Sequence, residues 1–331
     1  MKKQYRKNAF AMLLAGVMTL SMTGCGGKAA SDQPAPDASA PQTQSSEKYN
    51  VGVILKTTSS EYWSYVIAGI KAAEANLGNV TVDVKGATSD TAFDEQQNMV
   101  ETVVSAGTTQ ALAIAPLQAG QIANALKNAT IPILAVDTNF DQASTFIGTA
   151  HEDAAYKGGE YVAQQIGKGG KVAVLANIQG EPTSESRVKG YTDALTAGGC
   201  EIIATQYTDG VGDKAVTAME GLLQTYPEID AVVCCADDVA LGAARAIKSA
   251  GRDGILVCGF DGISSGVQAV VDGDIACTVA QDPYNMGYQC VVSLVDALEG
   301  KTLPAFIDTG CKVITSDNAA DYLAKLNSMI A

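Results

Sequence analysis

Residues 51–78, VGVILKTTSSEYWSYVIAGIKAAEANLG, join a short apolar run to a helical pattern and so decide the fold class. The run at 51–55 has the length and β-branched content of a buried strand. From Tyr62 onward the apolar residues recur at helical spacing, and Gly78 stands where a helix often ends. The sequence therefore predicts a strand that turns directly into a helix.

Polar and aromatic residues occupy the junction between this strand and this helix. Lys56 ends the apolar run, Ser60 follows, and Tyr62 and Trp63 open the helix. Ligands of open parallel sheets bind at this carboxyl edge. Two flat rings beside polar groups suit a sugar, because the rings cover C–H groups while the polar groups bond the hydroxyls. The alternative is that Tyr62 and Trp63 only pack together at the start of the helix.

The same alternation of strand and helix continues along the chain. Doubly wound parallel sheets are predicted, because the apolar runs lack the polar alternation of half-exposed strands. The predicted strands are 51–55, 80–84, 110–114, 132–136, 171–175, 201–206, 230–234, 255–259 and 276–280. The predicted helices are 62–77, 91–106, 118–129, 153–167, 184–198, 213–225, 238–250, 264–272 and 284–299.

The strand–helix units divide into two sets, which predicts two α/β lobes joined by a multi-strand hinge with a cleft between them. Crossovers are expected near 149–152, 281–283 and 305–311. The expected N-terminal lobe is 49–150 plus 282–308, and the expected C-terminal lobe is 151–281 plus 309–331.

The first 48 residues are expected to lie outside these lobes. Residues 1–24 have a basic start and a short apolar core, which predicts a secretory signal peptide. The ending SMTGC resembles a bacterial lipoprotein box, which implies a lipid on Cys25; the alternative is an ordinary cysteine near a cleavage site. Residues 25–48, rich in Gly, Ala, Ser and Pro, predict a flexible tether.

The composition argues against several classes of function. A formal net charge of −14 argues against nucleic-acid binding, which needs clustered Lys and Arg. His151 is the only histidine, which nearly excludes His-based triads and multi-His metal sites. We expect it on the surface at a helix start. The chain contains no phosphate-binding GxxxxGK loop. We therefore expect no enzyme, no cofactor and no metal.

The seven cysteines beyond Cys25 follow no metal-binding spacing, and several lie inside apolar runs such as AVVCCA. They are expected to be free thiols of the core, with a disulfide or metal cluster as the alternative.

Polar residues follow most of the predicted strands. In two facing lobes these strand ends would converge on one cleft. A single polar residue there can equally cap the next helix, which is the alternative for Asp237 and Asp238. The polar positions are Lys56, 116–121, 137–139, 181–187, Asp209, Asp237 with Asp238, Asp261, and Gln281 with Asp282.

Several segments resemble one protein family. KTTSSEYW at 56–63, DDVALGAARAI at 237–247, VCGFDG at 257–262 and AQDPYNMG at 280–287 resemble the ribose-binding type of periplasmic sugar-binding protein. That is the group 2 substrate-binding subunit of ABC importers, and its fold is the periplasmic binding protein type I. Lys56, where ribose binders usually have serine, looks more like the allose-binding branch.

The resemblance implies a role for particular residues. Ser60 and the rings of Tyr62 and Trp63 would contact the sugar, while Asp137 and Asp261 would take its hydroxyls. Departures from the family pattern are Thr138 and Glu185, each in place of an arginine, Ala236 in place of an asparagine, and Gly210 near the position of a ring. Lys56 is expected to offset Glu185 or Asp137. The candidate ligand-binding residues are Lys56, Ser60, Tyr62, Trp63, Asp137, Thr138, Glu185, Arg187, Asp261 and Gln281.

The implied function is capture of a monosaccharide, a pentose or hexose like ribose or allose. A monomeric, lipid-anchored protein at the cell surface or in the periplasm would deliver it to the transmembrane subunits of an ABC permease. The alternative is a binder of a signal molecule such as autoinducer-2, or of another polyol, that serves a membrane receptor. Autoinducer-2 binders also carry a lysine at the end of the first strand, but they lack the FDG and AQ signatures matched at 260–262 and 280–281.

Overall fold

The structure is a computed structural model that describes residues 48–329. The predictions of a signal peptide, of lipidation at Cys25 and of a tether concern residues outside this range. The strands are β1 (Tyr49–Thr57), β2 (Val80–Ala87), β3 (Ala111–Ile114), β4 (Ile133–Val136), β5 (Phe146–Gly148), β6 (Lys171–Ala176), β7 (Glu201–Tyr207), β8 (Ala231–Cys234), β9 (Leu256–Asp261), β10 (Cys277–Gln281), β11 (Phe306–Asp308) and β12 (Cys311–Thr315). The helices are α1 (Glu61–Leu77), α2 (Phe93–Ala106), α3 (Ala119–Ala125), α4 (His151–Ile166), α5 (Pro182–Ala197), α6 (Gly212–Thr225), α7 (Asp237–Ser249), α8 (Ser264–Asp272), α9 (Pro283–Leu298) and α10 (Ala319–Met329).

The strands form two six-stranded sheets, one in each lobe, which confirms the predicted fold class. The sheet of lobe A has the order β11-β5-β4-β3-β1-β2, and that of lobe B has the order β12-β10-β9-β8-β6-β7. Helices α1, α2, α3 and α9 pack in lobe A, and the remaining helices within residues 48–329 pack in lobe B. Each sheet is therefore covered on both faces by helices, as its uninterrupted apolar strands require.

The chain passes between the lobes at three connections within the described residues. They lie between β5 and α4, between β10 and α9, and between β11 and β12. The last of these explains the antiparallel strand of lobe B, which the prediction of parallel sheets did not include. Cys311 enters the sheet opposite Gln281, at the carboxyl edge, so β12 can only run back along β10.

Every strand and helix predicted above has its counterpart in the structure, but four further elements were missed. Strands β5 and β11 have three residues each, too few for a hydrophobic period to be read. Strand β12 and helix α10 follow the last predicted helix. The short strands complete the edge of the lobe A sheet, and β12 with α10 completes lobe B.

The side chains of β1 alternate between the two faces of the lobe A sheet. Val53 and Leu55 pack into the core under α1 and α9, while Ile54 packs into the core under α2 and α3. All three are buried. The strand thus anchors two hydrophobic cores and holds the next residue, Lys56, at the carboxyl edge of the sheet.

The seven cysteines of the described range form no disulfide in the structure. Cys200 and Cys311 are half-buried, and the other five are buried. Burial raises the pKa of Cys290 to about 12. Such thiols behave as small hydrophobic core residues.

Helices α1 and α9 touch backbone to backbone at two glycines. A Cβ atom on Gly69 would lie 1.9 Å from the carbonyl oxygen of Tyr284, and one on Gly287 would lie 2.0 Å from that of Val66. Both distances are below any real Cβ contact, so only glycine permits this approach.

We predict that Gly69→Ala lowers the free energy of unfolding by about 1–3 kcal/mol, because the added methyl group forces α1 and α9 apart. The control is Gly221→Ala in α6, where a Cβ meets no atom within 4 Å. There alanine gains up to about 1 kcal/mol in helix propensity. Urea denaturation measures both changes, and a Gly69→Ala variant as stable as the parent would contradict the close packing.

Candidate functional site

The carboxyl ends of the two sheets face a shared cavity between the lobes. Its volume is about 350 Å³, in the lower part of the range of about 300–1,000 Å³ that is usual for small-molecule sites. Almost every wall residue lies at or just beyond a strand end or at a helix start. The wall consists of Lys56, Ser60, Glu61, Tyr62, Trp63, Asp90, Leu117, Asp137, Asn177, Ile178, Glu181, Thr183, Arg187, Asp209, Gly210, Ala236, Asp238, Asp261 and Ile263.

The structure brings most of the predicted site residues into this wall, but not all of them. Thr138 and Gln281 stand just behind it, bonded to wall residues. Glu185 lies away from it. The predicted residues in the wall are Lys56, Ser60, Tyr62, Trp63, Asp137, Arg187 and Asp261.

Lys56 connects the two lobes through carboxylates. Its Nζ lies 3.5 Å from Oδ2 of Asp137 in lobe A and 3.1 Å from Oε1 of Glu181 in lobe B. Burial by itself would lower the pKa of Lys56, but the carboxylates of Glu181 and Asp137 outweigh it and raise that pKa. The ammonium group therefore stays charged, and it compensates two carboxylates that would otherwise be costly to bury.

The second buried ion pair lies in lobe B. Nη1 of Arg187 donates to Oδ1 of Asp261 at 3.2 Å and to the carbonyl oxygen of Cys235 at 2.7 Å. The guanidinium carbon stands 4.0 Å from the ring centre of Phe260. Nε2 of Gln281 donates to the same Asp261 oxygen at 2.8 Å. Arg187 is thus fixed in the cavity wall, and Gln281 holds its partner Asp261 from behind the wall.

Burial raises the pKa of Asp261 to about 7, with Arg187 lowering it and Asp137 raising it further. Glu181 has the opposite shift. Its own burial would raise its pKa, but Lys56, Thr183 and the backbone of Ser184 lower it to about 2. Lobe B therefore presents two carboxylates of very different acidity to the cavity.

Tyr62 and Trp63 form an aromatic corner of the cavity, with ring centres 5.2 Å apart and ring planes at 88°. Trp63 is 4% exposed, and its ring also packs in the lobe A core. The hydroxyl of Tyr62 donates to Oδ1 of Asp137 at 3.0 Å. Burial, followed by Asp137 itself, raises the pKa of Tyr62 well above its usual value, so this hydroxyl remains a donor.

Backbone strain within the described residues concentrates at this cavity. Asp137, Asp209 and Asp261 have φ values of 65°, 54° and 112°, and no other non-glycine residue of 48–329 has a positive φ. All three stand in the cavity wall. Left-handed conformations are costly for such residues and persist where the surrounding structure fixes them, often at functional sites.

Asp237 fixes the turn that carries Asp261. Its buried carboxylate accepts from the backbone N–H of Ile263 at 2.9 Å and from the hydroxyl of Thr278 at 2.6 Å. It lies in the first turn of α7, although Ala236 and not Asp237 is the N-cap. Asp237 is therefore not a helix cap, which was the alternative offered for it. Its side chain holds the turn that follows β9.

Glu61 links lobe A to helix α8 of lobe B, a contact that the sequence did not reveal. Helix α8 has no side-chain cap of its own. Oε1 of Glu61 accepts from the backbone N–H of Ser264 at 2.8 Å and from the Ser264 hydroxyl. The hydroxyl of Tyr65 donates to the same oxygen at 3.0 Å. One lobe thus supplies the cap of a helix in the other.

Glu185 does not reach the cavity, contrary to the expectation from sequence. Its carboxylate accepts from the backbone N–H of Gly180 at 2.8 Å and from the hydroxyl of Tyr207 at 3.0 Å. Glu181 faces Lys56 instead. Glu181 is the N-cap of α5, directly before a proline at the first helical position. That pattern could have indicated which glutamate stands at the strand–helix junction.

His151 is the first residue of α4 as expected, but it is buried and not on the surface. Its Nε2 lies 2.9 Å from the carbonyl oxygen of Asp137 in lobe A. Its Nδ1 lies 3.4 Å from Nε of Arg187 in lobe B. Burial, reinforced by Arg187, lowers the pKa of His151 to about 4, so the ring is neutral near pH 7. It donates from Nε2 and accepts at Nδ1, and so joins the two lobes beside their first crossover.

His151 and Asp261 have opposite effects on the pH dependence of stability. The pKa of His151 falls from 6.5 to about 4, so its contribution is present above pH 6.5 and is lost as pH falls toward 4. The pKa of Asp261 rises from 3.8 to about 7, so its contribution is present below about pH 4 and is lost as pH rises toward 7.

We predict that Asp261→Asn makes the free energy of unfolding rise more steeply with pH between 4 and 6.5, because the opposing contribution is removed. His151→Gln should shift the slope the other way. Urea denaturation across a pH series measures both, with Asp83→Asn on the surface as control. Equal slopes in all the variants would contradict the two shifted pKa values.

Within residues 48–329, no helix has the length and apolar character needed to cross a membrane. The same range contains no group of three His, Cys, Asp or Glu side chains arranged to hold a metal ion.

Comparison with known proteins identifies relatives of similar length. The chain is 29% identical to the ribose import binding protein RbsB of Bacillus subtilis, over 90% of this chain and 97% of that protein. It is 31% identical to the D-allose-binding periplasmic protein of Escherichia coli, over 76% and 86%. An ABC transporter solute-binding protein of Agrobacterium vitis, solved with bound D-fucose, superposes with a TM-score of 0.78 at 29% identity, over 84% of this chain and 99% of that chain.

Residues 51–302 match the periplasmic binding protein domain family. The resemblance to the ribose-binding type is thereby confirmed. The chain belongs to the periplasmic binding protein family, the substrate-binding proteins of ABC transporters, and is not an enzyme.

Proposed function

We propose that this protein captures a monosaccharide, a pentose or hexose, in the cleft between its lobes and delivers it to an ABC permease. The observation that carries the proposal is the convergence of charged, polar and aromatic side chains from both lobes on one cavity of about 350 Å³. Its relatives are named for the import or binding of ribose and of D-allose, and one was solved with bound D-fucose, which supports the same class of ligand.

The wall offers the groups that a polyol needs. Asp137 and Asp261 supply carboxylate oxygens that accept from paired hydroxyls, while Lys56 and Arg187 donate. The faces of Tyr62 and Trp63 would cover ring C–H groups. An unpaired hydroxyl or side chain in such a site costs about 1–3 kcal/mol, so an epimer should bind about 10- to 100-fold more weakly.

Contacts from both lobes imply that ligand binding and lobe arrangement are coupled. Lys56 and Asp137 belong to lobe A, whereas Arg187 and Asp261 belong to lobe B. A ligand that touches both sets favours the arrangement in which the lobes lie together. In our proposal residues 49–150 with 282–308 and residues 151–281 with 309–331 move as the two units.

The remaining proposals concern the N-terminal region and the partners. Cleavage after residue 24 would leave Cys25 as a lipid-modified terminus, with residues 25–48 as the tether to a membrane. The protein would be a monomer, held at the cell surface or in the periplasm. It would encounter the transmembrane permease subunits by diffusing along the membrane to which its tether is anchored.

We predict that one sugar from a panel of pentoses, hexoses and polyols changes the fluorescence of Trp63, the only tryptophan, and raises the melting temperature. Asp261→Ala should weaken that binding about 10- to 100-fold without unfolding the protein, because hydroxyls lose their acceptor. Asp83→Ala, on the surface of lobe A, is the control. The panel includes autoinducer-2. A response to autoinducer-2 alone would identify a signal molecule, and not a sugar, as the ligand. No response to any member would refute the proposed function.

We predict that Cys25→Ser moves the protein from the membrane fraction to the aqueous fraction of expressing cells, because the site of lipid attachment is lost. Immunoblotting of the two fractions and metabolic labelling with a fatty acid measure this. Ser31→Ala in the proposed tether is the control. Unchanged partition with no labelled parent protein would contradict the anchor.

A further inference from the structure

Both cations of the cavity wall are already engaged by the protein. Lys56 lies 3.1 Å from Glu181 and 3.5 Å from Asp137. Arg187 lies 3.2 Å from Asp261 and stacks on Phe260. Each positive charge therefore compensates carboxylates of the wall, and neither is left over for a negative group on a ligand.

Carboxylates outnumber these cations in the wall. The carboxylate of Glu61 accepts a hydrogen bond from the N-terminus of α8. Asp209 forms an ion pair with Lys214, which lies outside the cavity wall. Three more, Asp137, Glu181 and Asp261, are the ion-pair partners of Lys56 and Arg187. The wall carboxylates are those of Glu61, Asp90, Asp137, Glu181, Asp209, Asp238 and Asp261.

Asp90 and Asp238 are the two carboxylates that the protein does not compensate. Asp90 follows β2 in lobe A, and Asp238 lies in the first turn of α7 in lobe B. Both are exposed, and neither forms an ion pair or side-chain hydrogen bond with any residue of 48–329. Partial withdrawal from water raises the pKa of Asp90, Lys56 opposes that rise, and the carboxylates of Asp137, Asp238 and Glu181 add to it. Burial, followed by the carboxylate of Glu61, raises the pKa of Asp238. Both side chains thus add uncompensated negative charge to the cavity wall.

We propose that the cleft selects its polyol by charge, admitting uncharged and amine-bearing polyols and rejecting sugar acids and sugar phosphates. This inference rests on the proposed function and adds the class of substrate. A ligand carboxylate or phosphate would lose its water beside Asp90 and Asp238 without meeting a free cation, which is unfavourable. A ligand ammonium would instead be attracted by these two carboxylates, and an uncharged polyol brings no charge that the wall must compensate.

Sugars of the same ring configuration that differ at one charged substituent test the proposal. Calorimetry at low ionic strength compares glucose, glucosamine and glucuronate, then galactose, galactosamine and galacturonate, then ribose and ribose 5-phosphate. We expect the neutral or amino member of at least one series to bind, and the acid or phosphate of that series to bind at least 100-fold more weakly. The penalty should shrink as salt is added, because exposed charges are screened.

A double variant, Asp90→Asn with Asp238→Asn, tests the two residues directly. The ratio of acid to neutral dissociation constants should fall at least tenfold, whatever happens to the neutral affinity itself. The matched control, Asp83→Asn with Asp274→Asn, removes the same charge from surface positions outside the cavity wall. In the control the ratio should stay that of the parent.

The outcomes separate this proposal from the proposed function. An acid or phosphate that binds less than 100-fold more weakly than its neutral parent overturns the charge selection and leaves sugar capture standing. A ratio that falls less than tenfold in the double variant, or that falls equally in the control, overturns the role of Asp90 and Asp238. Binding of no sugar of any charge refutes the proposed function and the charge selection together.

Discussion

One ammonium group, that of Lys56, lies at the point where the two lobes of this protein meet. It stands between Asp137 of one lobe and Glu181 of the other. Without it, two buried carboxylates would face each other, and one would have to take up a proton or turn outward. The pair of contacts therefore fixes the charge state of the cavity and couples the position of one lobe to that of the other.

Two other residues, Glu61 and His151, also hold the lobes in this arrangement. Glu61 caps a helix of the opposite lobe, and His151 stands beside the first crossover with a neutral ring between the two lobes. The neutral hydrogen-bonded ring depends little on salt, whereas the bridge of Lys56 and the carboxylate cap of Glu61 are electrostatic. The lobes are thus held together by interactions of different physical character.

The site itself consists of strand ends held in unfavourable backbone conformations. The left-handed backbone of Asp137, Asp209 and Asp261 would relax if their surroundings allowed it. Asp237, buried behind the turn after β9, shows how the surroundings prevent this for Asp261, because its carboxylate bonds that turn directly. The precision of the wall is therefore provided by residues that a ligand never touches.

The sequence by itself determined the alternating strands and helices, the two-lobed fold class and most of the strand ends that form the cavity. These features follow from local hydrophobic periodicity and from the rule that parallel strands end at one edge. Short elements such as β5 carry too little periodicity to be recognised.

Only the tertiary structure decided which glutamate, 181 or 185, meets Lys56, that His151 is buried, that Glu61 caps α8 and that β12 runs antiparallel. Each of these depends on how residues far apart in the chain are brought together by the packing of two lobes, and a local sequence pattern contains no record of that placement.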